Sequence, residues 1–67
     1  MWSNLLTRLS RQEFEAGFCN VKSENGKFGF LSVHAESPRY RISIFDSEET
    51  LTFNAIEEII GAGWVID

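Results

Sequence analysis

Apolar positions recur at helical spacing at the start of the chain. Trp2, Leu5, Leu6, Leu9 and Ala16 share one face at about 100° per residue, with Arg8, Arg11 and Glu15 off it. Ser3 precedes this stretch as an N-cap, its hydroxyl suited to an unpaired amide of the first turn. Phe14 lies off the stripe, so the pattern predicts a helix ending near Gln12 or Glu13 and a change of structure at Gly17. From Phe18 the period drops to two. Asn25-Gly26 interrupts the alternation and favours a two-residue type I′ turn, because both turn positions need positive φ. A hairpin centred there pairs Glu24 with Lys27, Val21 with Phe30, Cys19 with Ser32 and Phe18 with Val33. Cys19, Val21, Phe28 and Phe30 then share one face, and Phe18, Leu31, Val33 and Ala35 the other. Both faces are partly apolar, which predicts a helix on one and a second element or a partner on the other.

Ser37-Pro38 ends the second strand, and Tyr40 to Ile44 alternates again as a half-buried strand. Asp46-Ser47-Glu48-Glu49 reads as a turn and Leu51-Thr52-Phe53 as a short strand, although Ser47 would also cap a helix running to Gly61. Asn54 followed by Glu57 has the spacing of a capping box, which favours strand first and then a helix over Ala55–Ile60, with Ile56, Ile59 and Ile60 inward. Gly61 and Gly63 stop it, and Trp64-Val65-Ile66 closes as an edge strand or packed tail. The expected fold is α+β in a single domain, 1–67. It has an N-terminal helix, an antiparallel meander of three or four strands, then a C-terminal helix and short tail, with the helices on one face of the sheet.

A chain of 67 residues has a thin core, and small domains usually add disulfides, a metal or a partner. Cys19 is the only cysteine and His34 the only histidine, which leaves no intrachain disulfide and no four-ligand zinc site. No cofactor is expected. Good packing or self-association must serve instead, so a homodimer stays open. No apolar run approaches the roughly 20 residues of a membrane span, and no secretory leader is visible, which points to a cytoplasmic protein.

Charge changes this picture most. Residues 1–41 hold all six bases against four acids, whereas residues 42–67 hold six acids and no base, for a net charge of −4. Such a field steers association with a basic partner, or simply keeps a small protein soluble. Catalytic chemistry is poorly represented. His34 lies in register with Ser32 and Cys19 in the expected hairpin, but a small buried thiol beside a half-exposed imidazole explains the pair without reactivity. Glu48-Glu49 and Glu57-Glu58 are adjacent pairs whose members diverge, and no glycine-rich loop opens a helix to hold phosphate. The chain reads as a binding protein and not as an enzyme.

The stretch Val21-Lys22 and Asn25-Gly26-Lys27-Phe28-Gly29-Phe30-Leu31 resembles the first nucleic-acid-binding strand of cold-shock and RNA-recognition domains. It departs from that pattern where Ser23 and Glu24 replace aromatics, and no second aromatic strand follows. Size, layout, acidity and the run Ile44-Phe45-Asp46-Ser47-Glu48-Glu49 also make the chain similar to small phage-encoded anti-defence proteins, the anti-CRISPR proteins. That resemblance implies a viral inhibitor that blocks a nucleic-acid-handling defence complex, such as a CRISPR effector, by mimicking DNA with carboxylates. The partner would be a protein with a basic surface, met by Asp46, Glu48, Glu49, Glu57 and Glu58. Direct nucleic-acid contact is not favoured on this reading. The alternatives are an intracellular adaptor acting by protein–protein contact, and a single-strand nucleic-acid binder using Phe28 and Phe30.

Overall fold

A computed structural model describes all residues, 1–67, and the expected α+β class holds. Helix α1 spans Asn4–Ala16, and strands β1 (Cys19–Ser23), β2 (Phe28–Val33), β3 (Tyr40–Ile44) and β4 (Thr50–Phe53) follow. Helix α2 (Ile56–Gly61) and strand β5 (Trp64–Ile66) complete the chain. The five strands form one antiparallel sheet in the order β4-β3-β2-β1-β5. The C-terminal tail is therefore an edge strand. Residues 50–53, left open between strand and helix, form a strand.

Ser3 caps α1 as expected, its hydroxyl accepting from the Leu6 amide at 3.1 Å. The helix does not stop at Gln12 or Glu13. It runs a further turn, to a Gly17 whose φ of 120° no other residue adopts cheaply. Its inner face is also rotated from the apolar stripe. Leu6 is half-buried, Ser10 and Phe14 are fully buried, and Leu5 and Leu9 face solvent. The reason is Ser10. Its hydroxyl accepts the Ile66 amide at 3.0 Å and donates to the Leu6 carbonyl at 2.8 Å. The Ile66 amide points away from β1, so α1 lies along the free edge of β5 and its serine satisfies that edge. A polar residue thus occupies the most buried line of the helix and masks its period.

The hairpin is also corrected. The Ser23 amide donates to the Lys27 carbonyl and the Gly26 amide to the Ser23 carbonyl, so three residues, Glu24-Asn25-Gly26, make the loop. Only Gly26 takes positive φ, at 87°, and Asn25 does not, which excludes type I′ and gives a turn closed by a left-handed glycine. Ser23 holds it locally, donating to Asn25 Oδ1 and accepting from the Lys27 amide. The extra loop residue shifts the register by one. Val21 faces Gly29 instead of Phe30, Cys19 faces Leu31, Asn20 faces Phe30 and Lys22 faces Phe28. A one-residue slip exchanges the faces of a strand, so Leu31 joins Val21 inside while Phe28 and Phe30 go outside.

The core comprises Phe14, Val21, Leu31, Ile42, Ile44, Ile59 and Trp64, on the sheet face that both helices cover. α2 begins after Ala55, and the expected Asn54–Glu57 capping box is displaced by one residue. The Asn54 amide donates to the Glu58 carboxylate at 3.1 Å, while Glu57 turns to Arg11 of α1. Gly63, at φ 94°, reverses the chain into β5.

At Gly29 the neighbouring β3 leaves no room for a side chain. A Cβ there would lie 2.7 Å from the Ser43 carbonyl oxygen and 2.9 Å from Ile42 Cγ2. Backbone cannot yield as a flexible side chain does, so Gly29→Ala should destabilise the domain by about 1–3 kcal/mol. A thermal midpoint lowered by several degrees in circular dichroism is the expected result, and an unchanged midpoint contradicts this packing.

Candidate functional site

Alternation along the strands assigns the outward side chains without ambiguity. Asn20 and Lys22 of β1, Phe28, Phe30 and Ser32 of β2, Arg41 and Ser43 of β3, and Thr50 and Thr52 of β4 face away from the helices. Phe45 continues this face, its amide bonded to the Phe28 carbonyl at 2.9 Å. Phe18 lies at its other end. Both helices pack on the opposite side or at the β5 edge, where Val65, which shares this face with Lys22, is fully buried and Trp2 lies against Lys22; the face is open across β2, β3 and β4.

Four phenylalanines stand exposed here: Phe18, Phe28, Phe30 and Phe45. Phe18 is 68% and Phe30 38% accessible, yet their rings stack, with centroids 6.2 Å apart and planes within 10°. Phe28 and Phe45 line a recess of about 420 Å³ with Lys27, Asp46 and Ser47, between the β1–β2 and β3–β4 turns. Exposed aromatic surface at this density is uncommon on a domain whose own core is small, and it marks a contact surface.

The charge of this face is opposite to that of the molecule. Its outward strand positions carry Lys22 and Arg41 and no acid, although the chain has net charge −4. Asp67, beside Asn20 at the β5 margin, is the acid that comes next in register. Neither base is ion-paired: the salt bridges are Met1–Glu24, Arg11–Glu57 and Lys27–Glu49. Lys22 Nζ instead sits 5.4 Å from the centre of the Trp2 ring, and the Trp2 indole donates to the Gly63 carbonyl at 2.8 Å. Arg41 Nε is buried without a partner. Two cations without ion-pair partners beside exposed rings suit an anionic ligand with flat apolar groups.

The acidic residues singled out from the sequence do not come together. The β3–β4 turn, with Asp46, Glu48 and Glu49, shares an end of the sheet with the β1–β2 hairpin. β4 then runs to the other end, where Ser37 meets Asn54 and α2 starts, so Glu57 and Glu58 lie opposite the turn. Two of the five are also neutralised. Glu49 pairs with Lys27 at 3.8 Å, and Glu57 forms a two-pronged bond to Arg11 at 2.6 and 2.9 Å. The Arg11 hydrogen bonds hold the Glu57 carboxyl below its usual range and raise the guanidinium correspondingly. A carboxyl lowered by folding contributes stability above its unfolded pKa and loses it as pH falls through the folded value. Arg11→Ala should therefore return Glu57 to an ordinary titration midpoint in side-chain carboxyl NMR, with little change in melting because the pair is exposed.

Cys19 and His34 are separated by the corrected register. Cys19 faces Leu31 on the inner side, and its thiol is pushed up by burial and by Glu13, the reverse of an activated nucleophile. His34 Nε2 lies 3.0 Å from Ser32 Oγ on the outer side, with no second hydrogen bond to orient the ring. Trp64 is a core residue, and Arg39 lies over the Tyr40 ring. No three of His, Cys, Asp and Glu converge as a metal cluster, and no helix is long and apolar enough to cross a membrane. The aromatic face was visible in the sequence only as the Phe28-Gly29-Phe30 run. Phe18, Phe45 and Arg41 join it through register. No protein-family model matches the chain, and comparisons with curated proteins and with solved structures find no match either.

Proposed function

We propose that this chain is a non-enzymatic binding domain that holds single-stranded nucleic acid on the open face of its sheet. The observation that carries this reading is the stacked Phe18–Phe30 pair flanked by the unpaired cations Lys22 and Arg41. Bases offer flat faces to the rings, and the phosphates between them offer charge to the bases of the protein. Asn20, Ser32, Ser43, Thr50 and Thr52 supply amide and hydroxyl groups around the rings. The overall negative charge limits non-specific attraction, so affinity rests on this face alone.

Fluorescence anisotropy with a labelled oligothymidylate of about twelve nucleotides tests the reading. Two phosphate contacts on a single strand give a slope of about −1.4 in log affinity against log salt. Absence of binding at low salt and sub-millimolar protein overturns it. A second reading rests on Asp46 and Glu48, which stand at one turn without a cationic partner. There the chain is an anti-CRISPR-like inhibitor that meets a basic protein surface. Glu48→Lys would then weaken capture of a basic partner and leave oligothymidylate binding unweakened.

A further inference from the structure

The two edges of the sheet are treated differently. At β5, the outward Ile66 amide is taken by Ser10, and α1 lies along the strand. At β4 nothing comparable exists. Ile44 donates to the Glu49 carbonyl, so by alternation Glu49, Leu51 and Phe53 bond toward β3, while the backbones of Thr50 and Thr52 point outward. Natural edges are blunted by lysine, proline, a bulge or a covering element. Thr50-Leu51-Thr52-Phe53 has none of these and consists of strong strand formers. In a chain of net charge −4, the stretch from Thr50 to Ile56 carries no charge at all.

From this we infer that β4 is a self-association edge and that its occupant is β4 of a second copy. Antiparallel pairing with Leu51 on the two-fold axis sets Thr50 opposite Thr52 of the other chain, twice. These are the residues whose amides and carbonyls face outward, so each pair closes two hydrogen bonds, four in all. Leu51 meets its counterpart on the inner side, and Glu49 falls opposite Phe53, which brings no like charges together. The inner side also supplies apolar area. Leu51 and Phe53 are half-buried and line an open groove of about 410 Å³ with Ile44 and Trp64, at the end of the core that short α2 leaves uncovered. A second copy rather than a foreign strand fits because register, hydrogen-bond parity and charge are all self-complementary here. The outcome is a ten-stranded sheet whose two aromatic faces are continuous, a consequence independent of what those faces bind.

Sedimentation velocity from micromolar to sub-millimolar protein reads the result. The chain mass of 7.7 kDa should double with concentration. Thr52→Pro removes an outward amide that β3 does not use and should leave a folded monomer, with dissociation at least tenfold easier. Should that variant fail to fold, the double change Thr50→Lys and Thr52→Lys decides, since it sets lysines opposite each other across the axis on exposed positions. A monomer throughout the concentration range overturns the proposal. So does a dimer that persists in folded Thr52→Pro or the lysine variant, or one that is lost on Phe18→Ser with Phe30→Ser, which places the contact on the aromatic face instead.

Discussion

Phe14→Ala should leave the domain largely unfolded at 37 °C. Phe14 is fully buried and belongs to a core of only seven residues, where it links α1 to the inner face of the sheet. Truncating a buried phenylalanine costs about 3–5 kcal/mol, because the transfer free energy of the ring is lost and the cavity collapses only in part. A domain of this length has about 3–10 kcal/mol in total. At about 4–8 °C for each kcal/mol, the thermal midpoint falls by roughly 15 °C or more. Leu9→Ala is the informative control. Leu9 lies on the apolar stripe but is 41% exposed, so its removal should cost well under half as much. Comparable losses from the two substitutions, read by urea titration, would place the inner face of α1 on the stripe instead.

The second large effect concerns binding. Phe18→Ser with Phe30→Ser should weaken oligothymidylate binding by roughly thirtyfold, about 2 kcal/mol, while the fold survives. Stacking on an aromatic platform contributes about 1–3 kcal/mol per base, and these two rings form one platform. Both are exposed, so their loss removes little core area, and the midpoint should move by only a few degrees. Arg41→Gln should act differently, flattening the salt dependence by about 0.7 in slope for one lost phosphate contact. Unchanged affinity in the folded double variant removes the sheet face from consideration and leaves the acidic turn as the better site.

The glycines and the alternating runs made much of the layout legible. Ser3 acts through its own hydroxyl, Gly17 and Gly63 through their own backbones, and Tyr40–Ile44 alternates strictly, so α1's start, β3 and the chain reversal before β5 follow from local preference. The class of fold and the order of elements need nothing more. Tertiary structure decided which faces those elements present. Ser10 and Phe14 became the buried line of α1 because an edge amide 56 residues away needed an acceptor, and no helical period encodes that. The hairpin gained one loop residue because Ser23, through its side chain, competes with the turn that Asn25-Gly26 favours, and a strand's period of two converts one residue into an exchange of faces. That exchange parted Phe28 and Phe30 from Cys19 and Val21 and set them on the face away from the helices. It also joined them to Phe18, Phe45 and Arg41, which are scattered in sequence. The acidic residues show the converse: their excess is plain in composition, but strand direction sends Glu57 and Glu58 to the far end, and Arg11 and Lys27 arrive from elsewhere to neutralise two of the five. Propensity and turn chemistry are local and were readable; register and long-range pairing depend on partners the local sequence does not contain.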